Sequence, residues 1–163
     1  MKFIDPHYPQ VWHQVAASEE APAATTPQGY QLLSLAQWLA VRERWPSGMP
    51  VGVQMANDSD IEQLAADLHR IGLVTLSFPK WVDGRAYSQA RLLRSRYRFA
   101  GEVRATGDVV VDMLPLLERT GFDSVVLRPG QDRLAAERAL RFFPGHYQGD
   151  TLGAGSVFVR EAA

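Results

Sequence analysis

Four times between residues 51 and 143 a short strand-like run gives way to helical periodicity, and this alternation constrains the fold more than any other feature of the chain. The runs are Val51–Met55, Leu73–Phe78, Gly101–Ala105 and Gly121–Leu127. The second is almost continuously apolar, as expected of a strand covered on both sheet faces. After the first, Ser59-Asp-Ile-Glu62 reads as a capping box opening a helix with Ile61, Leu64, Ala65 and Leu68 on one stripe. The second is followed by a helix from Tyr87 to Tyr97, with Ala90, Leu93 and Tyr97 inward. The third helix begins at Asp112, which puts Pro115 in its first turn, where a missing N–H does little harm. The fourth runs from Asp132 to Phe143, with Ala135, Ala139 and Phe142 on one face, and Pro144-Gly145 stops it.

Gly72, Gly101 and Gly121 each stand where a helix ends and a strand begins, the place for a left-handed C-cap. Four βα units at roughly 20–30-residue spacing predict an α/β fold with a parallel sheet built by right-handed crossovers. Two architectures fit: half of a (βα)8 barrel, or an open doubly wound sheet. Short strands, short loops and a polar residue after every strand favour the half-barrel. Its unpaired sheet edges would favour pairing with a second copy, as a homodimer, or with another protein.

Upstream, Leu32, Leu35, Leu39 and Arg42 recur at helical spacing and predict a helix over 34–44, capped by Ser34, with Trp38 and Trp45 as packing residues. Residues 1–29 read as a loosely docked segment. In it Phe3-Ile4 and Val11-Trp12 suit a short strand or hairpin, and the Pro- and Ala-containing stretch 16–29 suits a linker. The expected domain is therefore 30–147, followed by a tail, 148–163, whose Val157-Phe158-Val159 is either flexible or an edge strand.

A chain of 163 residues, 46% hydrophobic, can bury one full core. Its net charge of -1 argues against a general nucleic-acid or membrane-surface binder. Six arginines nevertheless fall between Arg85 and Arg104, with Glu102 the one acid among them, which suits a small anion or an acidic partner. No cysteine is present, so thiolate nucleophiles and iron–sulfur ligation by this chain are excluded. The N-terminus lacks the apolar core of a signal peptide and no run is long enough to span a bilayer, so the cytoplasm is the expected compartment.

In both architectures ligands sit at the C-terminal ends of the strands. Those ends carry Asn57 and Asp58, then Asp83, Gly84, Arg85 and Ser88, then Arg104, Thr106, Gly107 and Asp108, and last Arg128. Guanidinium forks and helix N-termini on one rim make an oxyanion receptor, with Asn57, Arg85, Ser88, Arg104, Gly107 and Arg128 as ligand contacts and Trp81 and Tyr87 as walls. Asp83 and Asp108 are the candidate acid–base residues. The bland reading is that Asp83–Arg85 and Arg104–Asp108 are loop ion pairs, that Asp108 or Asp112 caps a helix, and that Arg91, Arg94, Arg96 and Arg98 form a solvated face. His7, His13, His69 and His146 lack metal-ligand spacing, and no dinucleotide, phosphate-loop or nucleophile-elbow motif occurs, so neither a metal nor a cofactor is expected.

The residues Phe78-Pro79, Asp83-Gly84-Arg85, Tyr87-Ser88, Ala90-Arg91, Leu93-Arg94, Gly101-Glu102, Arg104-Ala105, Gly107-Asp108, Asp112 and Gly121-Phe122-Asp123 resemble an uncharacterised bacterial family encoded beside assimilatory sulfite reductase. Its members are often labelled probable oxidoreductases of sulfite reduction. The resemblance runs from about Leu32 to Tyr147 and implies a link to sulfate assimilation through gene neighbourhood. Many relatives carry cysteine immediately before the Gly-Phe-Asp, where this chain has Thr120, so no thiol can act there.

Three functions are therefore in view. The first is a non-catalytic accessory of sulfite reduction that binds an oxyanion or sulfite reductase through the arginine-bearing rim. The second is a half-barrel enzyme acting on a small anionic substrate. The third is a flavin-dependent oxidoreductase, which would purify yellow; a colourless protein is expected.

Overall fold

The computed structural model describes residues 1–7, 10–16, 26–142 and 150–151. Among these residues seven strands form one wholly parallel sheet: β1 (Lys2–Phe3), β2 (His13–Gln14), β3 (Gln31–Ser34), β4 (Val51–Met55), β5 (Ile71–Phe78), β6 (Glu102–Gly107) and β7 (Ser124–Val125). The sheet is curled into a half-barrel and flanked by four helices: α1 (Leu35–Val41), α2 (Arg85–Ser95), α3 (Leu114–Thr120) and α4 (Arg133–Phe142). Its order is β1-β7-β6-β5-β4-β3-β2. That is the cyclic order of a singly wound barrel, opened between β1 and β2. Since β2 to β7 follow one another without reversal, the doubly wound alternative, which needs a switch point, is not adopted.

Register sorts the sheet's side chains into two faces, because alternate residues of a strand point opposite ways. Leu33, Val53, Val74 and Val103 form one row, and Met55, Leu76, Ala105 and Val125 another. Both rows join Trp38, Val41, Ala90, Leu93, Leu114 and Leu117 of the helices in the core. The opposite face carries a polar row: Ser34, Gln54, Thr75, Arg104, Ser124 and Lys2 are successive partners across six strands. Toward the start of the strands Trp12 closes over that face, its ring 3.2 Å from where a Cβ on Gly52 or Gly72 would lie.

Several local expectations are corrected. The N-terminal strands form no hairpin: β1 pairs with β7 and β2 with β3, at opposite edges. Leu32, counted in the helical spacing, lies instead in a strand, Gln31–Ser34, and Ser34 serves both elements. Its hydroxyl accepts from Gln37 N while Gln37 Oε1 accepts from Ser34 N, a complete capping box at α1. The helix expected from Ser59 is a single 3-10 turn, Ile61–Leu64, capped by Asp60. Its continuation keeps i→i−3 bonds at Ala65, Asp67 and Arg70, because buried Asp67 is held in place by Trp38 Nε1 at 3.1 Å and Arg42 at 3.3 Å. The run expected over Gly121–Leu127 pairs only at Ser124–Val125. In α4 the buried residue is Ala136, whereas Phe142 is 74% exposed.

Of the three junction glycines, only Gly121 is a left-handed cap, with φ 102°. Gly72 lies within β5, and Gly101 is small because a Cβ there would lie 2.4 Å from the Phe99 ring. The proposed stop at Pro144-Gly145 and the strand at Val157–Val159 lie outside the described residues.

Candidate functional site

The rim at the strand C-terminal ends is built from loops that tie themselves together through carboxylates. Asn57, just past β4, is buried and donates from Nδ2 to Asp83 Oδ2 at 2.7 Å. Asp83 also accepts from Arg85 through Nε at 3.0 Å, Nη2 at 2.7 Å and the backbone N–H at 3.3 Å. This fork beside Asp83 lowers its pKa to about 2, so it is a carboxylate at any ordinary pH. The same pairing raises Arg85. Arg85 stays 58% exposed at the first position of α2.

A second knot joins three loops. Asp108, following β6, accepts from the Trp81 backbone N–H at 3.0 Å and from Arg128 Nη1 at 3.0 Å. Arg128, the larger cause, and the Trp81 N–H hold its carboxyl below the usual range. Asp108 therefore braces the rim and caps no helix. The turn before it requires glycine: Gly107 has φ 94°, and a Cβ there would lie 2.4 Å from the Phe78 carbonyl oxygen. That close approach lets Asp108 N reach Phe78 O at 2.7 Å, fixing the end of β6 against β5.

The remaining expected contacts are dispersed. Ser88 is exposed within α2, and Trp81 is 56% exposed. Tyr87 packs edge-on to Phe78 at 5.1 Å, and burial raises its pKa. Arg104 is not on the rim. The expected strand ends at Ala105, whereas β6 runs to Gly107, so Arg104 stands mid-strand, pairing in register with Thr75 and Ser124. It is 6% exposed and folds onto Glu102, with Nε at 3.0 Å and Nη2 at 2.7 Å from Oε1. The Ser124 hydroxyl donates to the same oxygen at 2.5 Å. Burial pushes Glu102 up, but Ser124, Arg104 and Lys2 together outweigh it and leave its pKa lowered. Thr75 Oγ1, in the same row, is buried without a hydrogen-bond partner.

Arg94, read as part of a solvated face, is instead a staple. Its guanidinium donates to the carbonyls of Gly121 at 3.0 Å, Gly101 at 2.8 Å and Phe99, pairs with Asp123, and lies 5.6 Å over the Phe99 ring.

Next to the Asp108–Arg128 pair a cavity of about 350 Å³ opens between the ends of β1, β6 and β7. Phe3, His7, Leu127, Arg128, Gln131 and Arg133 are among its lining residues. His7, Gln131 and Arg133 carry no local signal of this role, because only the pairing of β1 with β7 brings the first residues of the chain here. Among the described residues, no group of three or more His, Asp or Glu is placed to hold a metal ion.

A family model described as a bacterial protein of unknown function (DUF934) matches residues 52–158, about two thirds of the chain. No curated protein matches it.

Proposed function

The chain belongs to the bacterial family of unknown function DUF934, and on that footing we propose that it is a cytoplasmic accessory protein of assimilatory sulfite and sulfate reduction. It binds a small oxyanion, or sulfite reductase itself, through the rim at the strand C-terminal ends. The observation that carries the reading is the pair of rim arginines, Arg85 and Arg128, 58% and 44% exposed and each held by one aspartate. Asp83 occupies Nε and Nη2 of Arg85, and Asp108 occupies Nη1 of Arg128. The remaining guanidinium N–H groups meet no acceptor among the described residues, so they are fixed in direction and available to an oxyanion. The link to sulfur assimilation rests on the resemblance to proteins encoded beside sulfite reductase.

Binding is favoured over proton transfer because the neighbours of Asp83 and Asp108 lower both carboxyl groups and so favour their charged forms. A general acid or base works best with a pKa near the working pH, and neither residue is tuned that way.

Calorimetry with sulfite, sulfate and adenylyl sulfate, together with pull-down against sulfite reductase, tests the proposal. At least one should bind, and the Arg85→Ala, Arg128→Ala double variant should bind it at least tenfold more weakly. Binding to none of them overturns the reading. A deletion strain should grow on sulfide but poorly on sulfate.

A further inference from the structure

The cavity at the ends of β1, β6 and β7 extends the rim, and its volume and lining define the ligand more narrowly than an oxyanion. We infer that it receives a small organic anion, a phosphate or sulfate ester carrying a flat apolar group, with Arg128 and Arg133 on the ester oxygens and Phe3 against the apolar part. This rests on the reading of the rim as an anion receptor and names the class of molecule it takes.

The cavity is larger than an inorganic ion needs. At about 350 Å³ the cavity falls within the range of roughly 300–1,000 Å³ typical of small-molecule sites, far more than a bare tetrahedral ion fills. Arg128 and Arg133 both line the space, and among the described residues each meets a carboxylate through one nitrogen: Arg128 Nη1 with Asp108 at 3.0 Å, and Arg133 Nε with Glu137 at 3.1 Å. Neither Asp108 nor Glu137 is among the lining residues, so the wall itself carries more guanidinium than carboxylate. Asp5 is the acid in the lining, and its Oδ1 already accepts the His7 backbone N–H at 2.9 Å.

One wall of the cavity is apolar. Phe3, Ile4, Val125 and Leu127 line the same space, and the Arg133 guanidinium lies 5.6 Å over the Phe3 ring. A guanidinium stacked on a ring beside a second guanidinium suits an anionic head joined to a flat apolar body. An inorganic ion would leave that wall in water and gain nothing from it.

The experiment is calorimetry on the full chain with phenyl phosphate and phenyl sulfate against inorganic phosphate and sulfate, on wild type and on Arg133→Gln, Arg128→Gln and Phe3→Leu. The aryl esters should bind at least tenfold more tightly than the ions. Both glutamine variants should weaken ester binding about tenfold, and Phe3→Leu should abolish the preference for ester over ion. Arg133→Gln, at an exposed side chain, keeps the test independent of folding. Equal affinity for ester and ion overturns the inference, as does ester binding indifferent to Arg128 and Arg133. If inorganic oxyanions or sulfite reductase bind in an Arg85-dependent way while the esters do not, this inference fails and the proposed function stands. If no anion and no reductase binds, both fail.

Discussion

At the scale of single residues, the rim is a set of carboxylates whose protonation is suppressed by their neighbours. Asp83 is the extreme case, lowered from 3.8 to about 2 chiefly by the Arg85 side chain. Because its folded pKa is depressed, its contribution to holding the loop is fully present above the unfolded value of 3.8 and fades as pH falls through about 2. Arg85→Ala should therefore raise the Asp83 midpoint toward 3.8, read from the carboxyl carbon shift in an NMR titration. A midpoint that stays near 2 would show that Asn57 and the backbone N–H do the work alone. The Asp-Gly-Arg pairing was legible in the sequence, since two residues apart across a turn is within reach of a fork. The partner of Arg104 was misjudged. Glu102 and Ser124 reach it because alternate residues of one strand, and register partners on the next, share a face.

At the scale of elements, the βα junctions decide how the helices seat on the sheet. Spacing alone placed α2, α3 and α4 to within a few residues, because apolar periodicity is a local property of the chain. It could not show that Arg94 leaves the α2 surface to bind the carbonyls of Phe99, Gly101 and Gly121, since an arginine on a helix reads as solvated whatever follows it. Removing that guanidinium leaves three carbonyls without their donor. With hydrogen bonds to a charged group contributing about 1.5–3 kcal/mol each, and water replacing part of them at these partly buried carbonyls, Arg94→Ala should cost at least about 3 kcal/mol in urea denaturation. A loss below about 0.5 kcal/mol would match an ordinary exposed arginine instead. The helix anticipated between Ser59 and Gly72 fails for a related reason. Its apolar stripe is real, with Ile61 and Leu64 buried, but tertiary bonds to Asp67 tighten the backbone into successive turns.

At the scale of the whole molecule, the sheet is a cyclic arrangement with one open seam, and both sides of that seam come from the first sixteen residues. Without β1 and β2, β7 and β3 become unprotected edges, and Trp12 no longer covers Gly52 and Gly72. Deleting residues 1–16 should therefore lower the urea midpoint and raise light scattering, because bare parallel edges recruit other chains. A variant that stays monomeric with an unchanged midpoint would show that the segment is dispensable. The deletion should also abolish binding of aryl esters, since Phe3 and His7 leave with it. No helix among the described residues is long and apolar enough to cross a membrane.

By itself the sequence determined the repeated unit, its parallel arrangement, the helix-covered core and the end of the strands where polar turns collect. These follow from period, glycine placement and turn chemistry, all encoded within a few residues of one another. Tertiary structure alone decided that the first strand lies beside the last and that Arg104 is buried mid-strand. It also made Arg94 a staple and placed a cavity between segments more than a hundred residues apart in sequence. Those outcomes depend on register and on which edge a short strand finds, and a two-residue strand such as Lys2–Phe3 carries too little local pattern to announce either.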